Sequence, residues 1–145
     1  MEEDTLFTKI IRGEIPSSKV AEGDTWYAFL DINPHRIGHT LVVPKEQAQR
    51  IAELSPESRR DLLEGVAEVQ RRLSIEFETS DFSVNVNDGP LAGQEVPHVH
   101  FHVIPRVEGG TSRPMWTHAG NSSSAQEVDP DFEALAALAA CLQSH

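Results

Sequence analysis

Three histidines stand at every second position of His98-Val99-His100-Phe101-His102-Val103-Ile104. A strand has a side-chain period of two, so the spacing predicts three imidazoles on one face, roughly 6–7 Å apart. Val99, Phe101 and Val103 then point the other way, into a core. Imidazole can act as nucleophile, metal ligand or proton carrier near neutral pH. One histidine in an apolar stretch is ordinary packing, whereas three in register are hard to explain that way. His100 alone has a histidine two residues away on both sides, so it is the candidate nucleophile. His98 and His102 are better placed to support it.

Other residues admit two readings from sequence alone. Asp31, just before Asn33-Pro34, is either a turn former or an acceptor for vicinal hydroxyls. Asn87 in Asn87-Asp88-Gly89 is a turn former or a polar ligand. His39 is a packed strand residue or part of a site. Phe7 and Phe29 are core residues, with ligand contact as an addition. His-x-His pairs on strands also ligate zinc or iron when a third ligand completes the site. A metal protein therefore stays open beside an enzyme. Cys141 is the only cysteine, which excludes an internal disulfide and any multi-cysteine metal centre.

The 145 residues suffice for one domain with a real core. Hydrophobic residues make up 39% and charged residues 24%, a soluble composition, and no apolar run approaches membrane-spanning length. Met1-Glu2-Glu3-Asp4 lacks the basic start and apolar stretch of a secretory signal, so the expected location is the cytoplasm. With 23 acidic against 12 basic residues, the net charge is −11. That excludes a basic face for nucleic acid, but not a small phosphorylated ligand.

The elements that must position these residues follow from periodicity. Asp4 to about Gly13 reads as a short helix. Val20–Glu22 and Thr25–Leu30 read as strands across Glu22-Gly23-Asp24. His39–Val43 is a third strand, stopped by Pro44. Ser55 and Pro56 open a long helix whose buried stripe is Leu62, Leu63, Val66, Val69 and Leu73. Phe82–Asn87 and His98–Ile104 are the fourth and fifth strands. Val107–Asp129 is an irregular loop, and Phe132–Leu142 is a helix opened by Asp129 or Asp131. Together they predict an α+β fold, a five-stranded, mostly antiparallel sheet with flanking helices.

The segment His98–Ile104 resembles the signature of the histidine triad (HIT) superfamily. Phe7–Pro16, Ala28–Pro34 and Gly38–Lys45 are similar to its Hint branch, and Asn87-Asp88-Gly89 lies at the family's interval before His98. The resemblance covers about residues 5–106 and leaves 107–145 as a divergent loop and helix of one HIT domain. It implies a nucleotide hydrolase or transferase acting at an α-phosphate through a nucleotidyl group on His100, flanked by His98 and His102. The substrate would be a nucleoside phosphoramidate, an acyl-nucleotide or a dinucleoside polyphosphate, with a purine as its base. It implies that Asp31 holds the ribose, that Phe7, Phe29 and Ile32 surround the base, and that Asn87 and Gln94 contact the phosphate or the nucleophile's surroundings. His39 would sit behind the triad, and the carbonyl of His98 could fix the tautomer of His100. A homodimer is expected, with no cofactor, metal, nucleic acid or membrane partner. A nucleotide-binding regulatory module with little catalysis is the alternative. Three features depart from the pattern. Glu95 replaces a small hydroxyl residue, Leu30 replaces a histidine, and Thr5 and Thr8 occupy the places of two zinc-binding cysteines.

Overall fold

The computed structural model describes residues 3–109 and 130–145. Helix α1 is Leu6–Ile11, followed by β1 (Lys19–Glu22), β2 (Trp26–Leu30) and β3 (Thr40–Pro44). Helix α2 (Pro56–Phe77) leads to β4 (Asp81–Val86), β5 (Phe101–Arg106) and α3 (Phe132–Gln143). The five strands form one sheet in the order β1-β2-β3-β5-β4, antiparallel at every pairing. The predicted α+β architecture is the one found. No helix among the described residues is long and apolar enough to cross a membrane.

Strand alternation sends side chains to two apolar layers. Trp26, Ala28 and Leu30 of β2, Val42 of β3 and Val103 of β5 pack with Val99 against Leu62, Val66, Val69 and Leu73 of α2. Tyr27 and Phe29 of β2 and Leu41 and Val43 of β3 pack against Phe7 and Ile10 of α1. Every residue of β2 and β3 is therefore buried. The α2 face needs Gly65. A β-carbon there would fall 2.6 Å from Trp26 Cδ2, so any other residue would push α2 off the sheet.

The helix ends follow local chemistry. The Ser55 hydroxyl accepts from Ser58 N–H, and Pro56 is the first helical residue of α2. The Asp131 carboxylate accepts from Ala134 N–H and caps α3. Asp129, the other expected cap, lies outside the described residues, as does most of the loop expected at Val107–Asp129.

One boundary differs from expectation. The fifth strand starts at Phe101, not at His98. His98 N–H donates to Val96 O in a tight turn, and Val99 N–H donates to Ala48 O. Those backbone groups are committed before the ladder with β3 begins.

Helix α3 rests beside β1 and α2, and one guanidinium gathers its C-terminal end. Arg72 Nη1 donates to Leu142 O and Gln143 O at the C-terminal end of α3 and to Val20 O of β1. Its Nε donates to Glu68 at 2.7 Å. A cation at a helix C-terminus also meets the negative end of the helix dipole. Arg72→Ala should cost about 1.5–3 kcal/mol in urea unfolding, the range for charge-assisted hydrogen bonds, and Arg72→Lys should recover only part. A loss below about 0.5 kcal/mol would show that the other contacts of α3 hold it without Arg72.

Candidate active site

The three histidines are brought together on the α1 side of the sheet, but they are not equivalent. His98 is fully buried and His100 is 7% exposed. The rings of His100 and His102 lie 5.1 Å apart, edge to face. Phe7 sets its ring edge-on against both His98 and His100, at 5.7 and 5.0 Å between centroids. Phe29 stands 5.5 Å behind Phe7. Ile32 is 46% exposed, and Asn87 follows the end of β4 beside Gly93.

Hydrogen-bond partners fix which nitrogen of each ring carries its proton. A carbonyl can only accept. His100 Nδ1 lies 2.7 Å from His98 O, so Nδ1 holds the hydrogen and Nε2 is bare. His98 Nε2 lies 2.9 Å from Pro44 O, so Nε2 holds its hydrogen. His98 Nδ1 then accepts from the Thr5 hydroxyl at 2.6 Å. Both ring nitrogens of His98 are thus occupied inside the protein, and it reaches His100 through its carbonyl.

A second chain runs behind His102. His35 N–H donates to His39 Nδ1 at 3.1 Å, which leaves the His39 proton on Nε2. That N–H donates to His102 Nδ1 at 3.0 Å. His102 therefore carries its own proton on Nε2. His39 lies behind the triad, in van der Waals isolation from water at 1% exposure. His100 and His102 are left with opposite tautomers, a bare Nε2 beside an Nε2–H.

Burial holds these rings neutral. It pushes His39 well below the ordinary imidazole value, His102 down to about 3, and His98 and His100 down by less. For His39 and His102 the neighbouring imidazoles act in the same direction. Asp31 shifts the other way, up to about 6, chiefly by burial. The Asn33 N–H donated to Asp31 Oδ1 opposes that rise, and the charge of Glu95 adds to it. Asp31 Oδ2 lies 3.5 Å from His39 Nε2. Asp31 is thus a turn former through one oxygen and a site residue through the other.

Asp31, His39 and His102 turn three ligand-type atoms into a space under 4.8 Å across. The donor set is one that divalent transition metals accept. The nitrogen an ion would need on His39, however, carries the proton given to His102, and His39 Nδ1 already accepts from His35. A metal would have to reverse the tautomer and break both bonds, so the arrangement favours a hydrogen-bond junction.

Gln94, expected at the phosphate or around the nucleophile, also holds the loops beside it. Its Oε1 accepts from Gly89 N–H and its Nε2 donates to Gln49 O, so it braces the loop after β4. Sequence reading missed His35 and Gln47. The four-residue spacing of His35 and His39 could have signalled the first. Nothing local signals Gln47, whose Oε1 accepts from Thr5 N–H and the Thr8 hydroxyl.

Known proteins resemble this chain in sequence and fold. A family model of the HIT domain matches residues 12–109. Protein hit of Bacillus subtilis is 40% identical over 119 residues, covering 81% of this chain and 82% of that protein. Adenosine 5'-monophosphoramidase hnt1 of Schizosaccharomyces pombe is 46% identical over 101 residues, covering 70% of this chain and 73% of its own. The crystal structure of a Hit-like protein of Bartonella henselae, described as involved in cell-cycle regulation, superposes with a TM-score of 0.79 at 29% identity. It covers 99% of this chain and 97% of that one. The family model, the sequence relatives and the shared fold agree, and the chain belongs to the HIT family.

Proposed function

We propose that this protein is a nucleotide hydrolase or transferase that acts at the α-phosphate through a nucleotidyl group on His100. The observation that carries the reading is the pair of opposite tautomers. A bare His100 Nε2 can attack phosphorus while the His102 N–H donates to a phosphoryl oxygen as its charge develops. The name of the fission-yeast relative supports a nucleoside phosphoramidate as the first substrate to try. Glu95 supports the same choice. Its charge acts on both Asp31 and His100, so it opposes the added negative charge of a polyphosphate.

In the first step His100 Nε2 gives its lone pair to phosphorus and the P–N bond breaks. The leaving nitrogen takes a proton from solvent and departs as an amine. The nucleotidyl imidazole is then cationic, and the His98 carbonyl receives its Nδ1–H. In the second step water attacks phosphorus and the bond to Nε2 breaks. A nucleoside monophosphate leaves, one proton goes to solvent, and His100 returns to its starting tautomer. Asp31 would accept from the ribose hydroxyls, with Phe7, Phe29 and Ile32 beside the base. Asn87 would stand near the phosphate.

His100→Ala should lose about 10³–10⁶ in rate while still binding nucleotide, the usual cost of removing a nucleophile from a cooperating set. Rapid quench of the wild type with an adenosine phosphoramidate should give an acid-labile adduct within residues 98–102. An adduct elsewhere, or an active His100→Ala, overturns the mechanism.

Asp31→Asn keeps the turn acceptor but removes the charge. Ribonucleotide binding should weaken by about 1.5–3 kcal/mol, and 2'-deoxynucleotide binding by less. In the wild type the carboxyl takes up a proton as pH falls through about 6, so its ionised form is lost on the acid side. Affinity should drop about tenfold by pH 5, whereas the Asn variant should be flat. Because the pKa of His100 is lowered, KM should rise before kcat falls. Equal losses on both nucleotides would leave Asp31 a turn residue only.

The assembly expected is a two-fold dimer. The edge strand β4 leaves Val84 40% exposed, and α2 leaves Leu63 59% and Ile75 48% exposed. Light scattering at micromolar concentration should give twice the chain mass; a monomer mass would rule the assembly out.

A further inference from the structure

We propose that Thr5, supported by Gln47, is a positioning residue for His100 that acts through the ring and carbonyl of His98. The idea rests on the nucleophile assigned to His100 above.

The argument begins with what holds residue 98. It precedes β5, so the sheet ladder does not fix its carbonyl. The local anchors are His98 N–H to Val96 O, Val99 N–H to Ala48 O, and the two bonds of the His98 ring. Remove the ring bonds and the imidazole can turn, and the peptide that carries His98 O loses its side-chain tether. That carbonyl is the acceptor that keeps the His100 proton on Nδ1.

Every hydrogen in the surrounding cluster has one assignment. Pro44 O accepts from His98 Nε2, so the Thr5 hydroxyl must donate to Nδ1. A hydroxyl has one hydrogen, so the Thr8 contact at 3.2 Å receives none from Thr5. The hydrogen of Thr8 goes instead to Gln47 Oε1 at 2.6 Å. The same oxygen takes Thr5 N–H at 2.9 Å, and Gln47 Nε2 donates to Glu3 O at 2.8 Å. Thr5 Oγ1 also accepts from Thr8 N–H, capping α1.

The capping role is separable from the positioning role. A cap needs an acceptor oxygen, which Ser, Thr and Asp all supply. A donor to His98 Nδ1 needs a hydroxyl hydrogen, which ionised Asp lacks. Thr5→Ser keeps both functions, Thr5→Asp keeps the cap alone, and Thr5→Val removes both while preserving the side-chain shape.

The test uses these three full-length variants and the wild type. Ring tautomers are read by proton–nitrogen NMR of the imidazoles, alongside AMP affinity and steady-state kinetics with adenosine 5'-phosphoramidate. In the wild type His98 should carry its proton on Nε2 and His100 on Nδ1. Thr5→Ser should match it in tautomers and keep kcat within about threefold. Thr5→Val should bind AMP within about twofold of wild type, show mixed His100 tautomers, and lose about ten- to a hundredfold in kcat. Thr5→Asp should melt near wild type yet lose kcat, with His98 drawn to the doubly protonated form. Unchanged His100 tautomers in Thr5→Val overturn the proposal, whatever the rate. So does a kcat loss that merely follows AMP affinity or the folded fraction. If Thr5→Val does not fold, the wild-type spectrum decides, since His98 protonated on Nδ1 is incompatible with a donating Thr5. A wild type inactive on the phosphoramidate would sink the hydrolase reading, while the tautomer measurements would still judge Thr5.

Discussion

Four imidazoles are packed together away from water, and burial makes the charged form of each unfavourable. A neutral imidazole has one donor and one acceptor, and a buried one must satisfy both or lose the value of a hydrogen bond. Much of the site's architecture answers that demand. Pro44 O, His98 O, the Thr5 hydroxyl and His35 N–H each meet a particular ring nitrogen. The feature on which the proposed chemistry rests, a bare nitrogen on His100 next to a protonated one on His102, follows from how backbone carbonyls and amides are placed.

That dependence explains which parts of the molecule were legible in the sequence. The alternation of Val99, Phe101 and Val103 foretold the α2 face because burial enforces a period of two. Ser55-Pro56 and Asp131 announced their helices through local hydrogen bonds within three residues. The beginning of β5 was misjudged because alternation says nothing about where N–H groups are sent. His98 and Val99 continue the pattern, yet their amides bond to Val96 and Ala48.

The connections inside the site lie further from anything a sequence can disclose. Thr5 and His98 are 93 residues apart, and Thr5 and Gln47 are 42 apart. Gln94 stands at a ligand's place in a motif, and the sequence does not reveal that its amide also ties two loop segments, at Gly89 and Gln49. Asp31 reads as turn or site in the sequence, and the fold sets one of its oxygens on the turn and the other toward His39. Residue type and spacing single out the histidines; the proton on each ring depends on partners that only the fold brings near.

Helix α1 has six residues, too few to persist by itself in water. Its existence depends on burying Phe7 and Ile10 against the sheet and on Gln47 receiving its first amide. The hydroxyl that caps it is the one that meets His98, and the ring that docks it lies against His98 and His100. Folding of this segment and completion of the histidine cluster are therefore one cooperative event. No local stretch of chain can rehearse the site in advance, so the active arrangement belongs to the fully assembled domain.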